Sequence, residues 1–192
     1  MHRGAAAAPF LDRVAALRIE VFAEWPYLYA GNADYERSYL SRYLDSPGFT
    51  LVLAWSDDEI VGASTGLPLA DEEAVFRAPF LARGIDPGTV FYCGESVLRR
   101  AFRGQGVGQA FFDHREAAAA ELGLAVTAFC AVDRAADDPR RPPAYRGNEG
   151  LWTRRGYRRQ EGMRCRLAWP EQPGGPPVEH DLSFWLRGGP RS

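Results

Sequence analysis

Val90 to Glu116 reads V-F-Y-C-G-E-S-V-L-R-R-A-F-R-G-Q-G-V-G-Q-A-F-F-D-H-R-E. It predicts an apolar strand, a glycine-crowded turn and a helix in succession. Val90 to Leu98 is rich in β-branched and aromatic residues, with Pro87-Gly88 before it and Arg99-Arg100 after it, the pattern of a strand. From Val107 the period changes. Val107, Ala110, Phe111, His114, Ala118 and Leu122 recur at helical spacing, with Asp113, Glu116 and Glu121 off that side. Between the two lies Arg103-Gly104-Gln105-Gly106-Val107-Gly108. Glycines there allow close backbone approach, and the N–H groups of the turn join the positive end of the helix that follows. Such a corner suits a pyrophosphate.

Three readings of the corner are open on the glycines alone. A Walker loop requires Gly-Lys-Ser/Thr, and the chain has no lysine. A dinucleotide fingerprint requires G-x-G-x-x-G, whereas Gly104, Gly106 and Gly108 alternate and Phe111 stands at the third glycine position. Asp133 does end the next apolar run, where a ribose-binding acid would sit, so this alternative is weakened rather than removed. The third reading is a strand-to-helix turn that is merely rich in glycine.

Arg103-x-x-Gly106-x-Gly108 after a strand, opening an amphipathic helix, resembles the acyl-CoA loop of the GNAT acyltransferase superfamily. Downstream, Leu151-Trp152-Thr153-Arg154-Arg155-Gly156-Tyr157 resembles the same family's Leu-Tyr-x-x-x-Gly-Phe segment. The resemblance implies an α/β (mixed α+β) GNAT fold. Its sheet would be mostly antiparallel, of six to seven strands, flanked by about four helices. It further implies that Arg103, Gly104, Gln105, Gly106, Val107, Gly108 and Gln109 hold the diphosphate of acetyl-CoA, with N–H groups around Val97 and Leu98 bonding the pantetheine arm. The activity implied is N-acetyl transfer to a primary amine, the acceptor a small molecule. A non-catalytic acyl-CoA sensor with the same fold is the alternative.

Composition narrows the partners. A net charge of −2 argues against general nucleic-acid or anionic-membrane binding. The length suits one domain spanning 1–192, with 171–192 a Pro/Gly-rich turn plus a final strand. Cys93, Cys130 and Cys165 are odd in number and widely spaced, which reads as reduced thiols in a cytoplasmic protein, with no zinc site. The opening residues are too short and weakly apolar for a signal peptide, and no run reaches transmembrane length.

In chain order, Leu11–Glu24 and Asp34–Leu44 read as helices joined by an aromatic loop, Trp25 to Asn32. The resemblance makes this helix-loop-helix a wall of the acceptor pocket. Tyr27 and Tyr29 are its candidate substrate contacts, because loop aromatics have no automatic place in a core. The opening residues make no convincing strand. Phe49–Trp55 and Ile60–Leu67 form a hairpin, and 71–88 is an excursion with a short helix. Leu124–Val132 reads as a strand buried on both faces, and Asp133–Arg146 as a proline-rich loop. Met163–Trp169 and Asp181–Arg187 read as strands, the last of which can pair with a neighbouring chain in a possible homodimer.

Amine attack on a thioester needs a proton acceptor, a polarised carbonyl and neutralisation of the leaving thiolate. Strand alternation places residues 91, 93, 95 and 97 on one face. Glu95 is the one ionisable carboxylate of that strand and the candidate general base; a structural ion pair with an arginine is the competing role. The resemblance puts a tyrosine acid where Trp152 stands, and an indole N–H is not a useful acid. Tyr145 is the candidate replacement, ahead of Tyr157. His114, on the predicted apolar face, reads as a core histidine.

Overall fold

The structure, a computed structural model, describes residues 1–188. Among the described residues eight strands form one sheet in the order β1-β2-β3-β4-β6-β8-β7, with β5 paired to β3 alone. The strands are β1 (His2–Arg3), β2 (Thr50–Ser56), β3 (Glu59–Pro68), β4 (Val90–Tyr92), β5 (Ser96–Leu98), β6 (Val126–Val132), β7 (Arg158–Pro170) and β8 (Pro177–Arg187). Only β4 and β6 run parallel; every other ladder is antiparallel. The five α-helices among the described residues are α1 (Leu11–Phe22), α2 (Ala33–Ser41), α3 (Ala74–Leu81), α4 (Val107–Glu121) and α5 (Glu149–Arg154). This mixed, mostly antiparallel architecture matches the expected class. The two residues of β1 pair with Leu51 and Thr50, so the opening segment does contribute a short strand.

Local chemistry accounts for the helix boundaries. α2 is capped by Asn32, whose side-chain oxygen accepts from the N–H groups of Asp34 and Tyr35, each at 3.0 Å. α4 begins at Gly106, whose φ of +87° is a conformation that side-chain-bearing residues rarely adopt.

Two apolar clusters lie on opposite faces of the sheet. One gathers Leu11, Val14 and Leu17 of α1, Leu40 of α2, Phe76 and Phe80 of α3, and Tyr92, Val97 and Phe184 from the strands. The other joins Phe112, Ala118 and Ala119 of α4 to Phe91, Cys93, Phe129 and Tyr157. Each fully buried large side chain contributes ~1.5–3 kcal/mol, so these clusters hold the helices to the sheet.

The central strand departs from the expected continuous run. It breaks at Cys93-Gly94-Glu95 between β4 and β5. Phe91 and Cys93 face α4, but Val97 lies in the α1 cluster with Tyr92, and the Glu95 carboxylate meets Arg18 of α1. The alternation of 91, 93, 95 and 97 on one face is therefore overturned. An extra residue in the bulge moves every later side chain to the opposite face. Gly94 occupies the tightest point, where a Cβ would lie 2.7 Å from Thr65 Oγ1 and 3.1 Å from the Tyr43 hydroxyl.

Two further expectations are corrected. β8 is bonded to β6 over Leu182–Arg187 on one side and to β7 on the other, so the segment expected to pair with a neighbouring chain is already paired within this one. The buried face of α4 is Phe111, Phe112, Arg115, Ala118 and Ala119, whereas His114 is exposed and Leu122 is 40% exposed. The helix is thus turned by about one residue, exchanging a histidine for an arginine. The apolar pattern was sparse enough to allow either orientation, and contact with the sheet chose between them.

Candidate active site

The bulge opens the site. Cys93 N–H donates to Ala128 O at 2.7 Å, the last bond between the central strand and β6. Beyond it β5 follows β3 while β6 continues to Val132 beside β8. A cleft of about 1350 Å³ occupies the gap, lined by Gly94, Glu95, Ser96 and Leu98 on one side and Phe129, Cys130, Ala131 and Val132 on the other.

Polarity of the two walls follows from the ladder. Thr65 N–H donates to Glu95 O and Arg99 N–H to Val61 O. By antiparallel alternation Val97 falls in the bonded pair with Ala63. Its N–H is thus committed to β3 and turned from the cleft; Ser96 and Leu98 present their backbone groups towards it. The Leu98 carbonyl already accepts from Arg103 Nε at 2.9 Å.

At the cleft's mouth is the glycine turn. Gly104 and Gly106 adopt φ of +78° and +87° with nothing within 4 Å of an added Cβ. Among the described residues, the N–H groups from Gly104 to Gly108 donate to no protein acceptor, whereas those of Arg103 and Gln109 bond Arg100 O and Gly106 O. Five free amides at the start of a fifteen-residue helix make a site for an anion. Arg100, Arg141, Arg146 and Arg154 also line the cleft, are exposed, and have no carboxylate partner among the described residues. Arg103 is different. Its guanidinium is held by Glu24 through bonds of 2.8 and 3.0 Å and its N–H by Arg100 O, so the expected role of Arg103 as a diphosphate ligand passes to the amides that follow it.

Comparison with known proteins agrees with this geometry. The acetyltransferase (GNAT) family model matches residues 15–141. The chain belongs to the GNAT acetyltransferase family. Among solved structures, it is similar to a GNAT-family acetyltransferase from Staphylococcus aureus Mu50, with 13% identity, TM-score 0.61, and 94% of this chain and 93% of that one covered. An aminoglycoside 6'-N-acetyltransferase complexed with coenzyme A matches at 14% identity, TM-score 0.56, covering 94% and 92%. A ribosomal-protein-alanine N-acetyltransferase from Brucella melitensis matches at 18% identity, TM-score 0.55, covering 92% and 94%. At these identities the likeness is one of fold. No curated protein matches the chain at a significant level.

In this GNAT fold Glu95 lines the cleft yet is 6% exposed. Its Oε2 lies 2.6 Å from Arg18 Nη1, and its Oε1 has no partner. Arg18 also bonds Glu36 of α2, so one buried guanidinium serves two carboxylates. Burial opposes the charge on Arg18, but Glu95, Tyr39 and Glu36 outweigh it and hold the group well above its ordinary value. Glu95 thus has both features weighed from the sequence: an ion pair on one oxygen and a free acceptor on the other.

The tyrosines divide. Tyr145 lines the cleft with its ring edge-on to Trp25 at 6.2 Å; burial and then Glu149 push its hydroxyl up, making it a weaker acid. Tyr27 lines the cleft, its ring packed on Phe22 and Trp169 and its carbonyl accepting from Arg134 and Trp169. Tyr29 lies outside the cleft lining, with its ring beside Gly31 and Ile19. Tyr157 is 1% exposed and bonded to Glu116, outside the cleft lining. Trp152 lines the cleft on Phe129 and Trp185. The α2 tyrosines line no part of the cleft. Instead Tyr39 bonds Tyr43, which donates to Glu72 at 2.8 Å.

Sequence reading passed over three residues at the site. Arg18 looks like an ordinary helix arginine, and only its position beneath Glu95 gives it a partner. Trp25 has a buried indole N–H without an acceptor and lines the cleft; its place in the aromatic loop was a visible clue. Arg115 is 2% exposed and carried no signal, because arginine on a helix ordinarily faces water. Among the described residues no group of three or more His, Cys, Asp or Glu is placed to hold a metal ion, and no helix is long and apolar enough to cross a membrane.

Proposed function

We propose that this chain is an N-acetyltransferase that moves the acetyl group of acetyl-CoA to the primary amine of a small molecule by direct attack. The observation that carries the reading is the run of five free amides from Gly104 to Gly108 opening onto the gap between β5 and β6. The unpaired arginines at the rim supply positive charge for a polyanionic donor, and the gap is lined with apolar side chains suited to a pantetheine arm. Ser96 and Leu98 offer backbone groups to that arm in place of Val97. The CoA complex of the aminoglycoside acetyltransferase of similar fold supports the same choice of ligand.

The acceptor enters from the side of Trp25, Tyr27 and Tyr145. These rings receive an ammonium or an apolar body, and Glu95, whose Oε1 has no partner, lines the same cleft. Glu95, directly or through water, takes the proton as the amine attacks; Tyr145 is the one phenol lining the cleft besides Tyr27. A small molecule, rather than a nucleic acid or a membrane, is the partner that fits this enclosed aromatic corner, and we place the reaction in the cytoplasm.

The pairing of Glu95 with Arg18, with Trp152 in the cleft, favours a second reading, a sensor that binds acyl-CoA without turnover. Calorimetry with CoA against NAD tests the ligand, and a steady-state assay with acetyl-CoA and a panel of amines tests the chemistry. Turnover that falls ~100-fold in Glu95→Gln supports the enzyme. Tight CoA binding with no turnover and no effect of that substitution replaces it with the sensor.

A further inference from the structure

Arg115 is a buried cation without a counter-ion. It lies on the inner face of α4, 2% exposed, and no carboxylate pairs with it among the described residues. Its Nη1 makes one long contact of 3.4 Å with the Glu95 carbonyl oxygen, its Nε has no acceptor, and its guanidinium lies 4.6 Å from the centre of the Phe112 ring. It also lines the cleft, reaching the bulge from the face opposite Arg18. Removing a guanidinium from water without a partner is strongly unfavourable. A cation kept at such a place suits an anion that forms inside the cleft.

The proposed reaction produces one. The amine nitrogen bonds the thioester carbon, the C–S bond breaks, and its electron pair stays on sulfur as a thiolate, while the amine proton goes to Glu95 or water. The groups near this point are poor donors of a proton to that sulfur. The Tyr145 hydroxyl is pushed up by burial, the Cys93 thiol likewise, and the Trp152 indole does not act as an acid. We infer that Arg115 is a further catalytic residue, whose guanidinium carries the charge of the departing CoA thiolate in place of a proton donor. This rests on the acyl-CoA reading above.

The test is the titration of the thiol of free CoA bound to the protein, followed by the ultraviolet absorbance of the thiolate. The protein's own thiols are subtracted by a run without CoA, and occupancy is set by calorimetry. Cys93, Glu95, Cys130 and Tyr145 line the same cleft, Arg18 pairs with Glu95, and Glu116 with its partner Tyr157 stands on the α4 side. They are common to all variants. The bound thiol is expected to be about tenfold more acidic in the wild type than in Arg115→Met, with Arg115→Lys recovering part of the difference. Identical titrations in the wild type and both variants overturn the inference while leaving CoA binding intact. If Arg115→Met does not fold, the same comparison is made with Arg115→Gln. Absence of CoA binding to the wild type removes the parent reading and this one together.

Discussion

Arg18 Nη1 on α1 lies 2.6 Å from Glu95 Oε2 at the bulge of the central strand, and Nε of the same side chain bonds Glu36 of α2. One guanidinium therefore ties α1 and α2 to the strand that opens the cleft. Arg18→Met leaves two carboxylates buried without a cation, a loss of ~3–5 kcal/mol. Denaturant unfolding measures it, and adding Glu36→Gln to Arg18→Met is expected to recover part of the loss.

Gly94 is set by proximity rather than by a left-handed backbone. A methyl group there meets Thr65 Oγ1 at 2.7 Å and the Tyr43 hydroxyl at 3.1 Å, and both belong to the packed layer beneath the bulge. Gly94→Ala is expected to cost ~1–3 kcal/mol of stability. Since the bulge sets where β5 leaves β6, CoA binding weakens as well, which calorimetry on the folded variant reads.

Gly106 and Gly123 permit a matched comparison. Both have positive φ, +87° and +70°, with open space where a Cβ would stand. Alanine at either position costs ~1 kcal/mol of backbone strain. Gly106→Ala should also weaken CoA binding by about tenfold or more, because the methyl group stands among the free amides. Gly123→Ala, at the other end of α4, should leave that affinity unchanged; equal affinities in both variants would remove the glycine turn from the binding site.

Glu72 couples stability to pH. Burial is the main cause that lifts its carboxyl to about 7, against 4.5 when exposed, with the Tyr43 hydrogen bond working the other way. The native state thus holds this proton over a range where the unfolded chain has lost it. Stability from the group is complete below about pH 4.5 and falls as pH rises towards 7, by up to ~3 kcal/mol. Glu72→Gln removes that dependence. Unfolding midpoints of the variant should gain on the wild type as pH rises through this window, and parallel curves would refute the assignment.

Arg141 and Arg154 line the cleft without carboxylate partners among the described residues, unlike Arg155, which Asp113 and Glu116 hold. Replacing either by Gln should weaken CoA binding several-fold and flatten its dependence on salt, with little change in unfolding, since an exposed unpaired cation contributes little to stability.

The glycine turn was legible because its free amides belong to the backbone. Missing side chains at 104, 106 and 108 and the change of period at Val107 announce free amides at a helix start, wherever the helix later packs. The run of β6 was legible for a similar reason, since a continuous apolar run specifies a buried strand without reference to its neighbours; the sheet class came from the resemblance of the two motifs to the GNAT family. Glu95 was legible as a strand carboxylate in need of a partner or a task, but its face was not, and neither Arg18 nor Arg115 was legible at all. A charged residue on a helix or strand has the same local pattern whether it faces water or a buried partner. One extra residue at Gly94 reversed the face of Glu95, and a turn of α4 by one position put Arg115 inside and His114 outside. Those choices depend on what the opposite surface offers, a partner charge or a cleft, and only the packing of α1 and α4 against the two faces of the sheet supplied it.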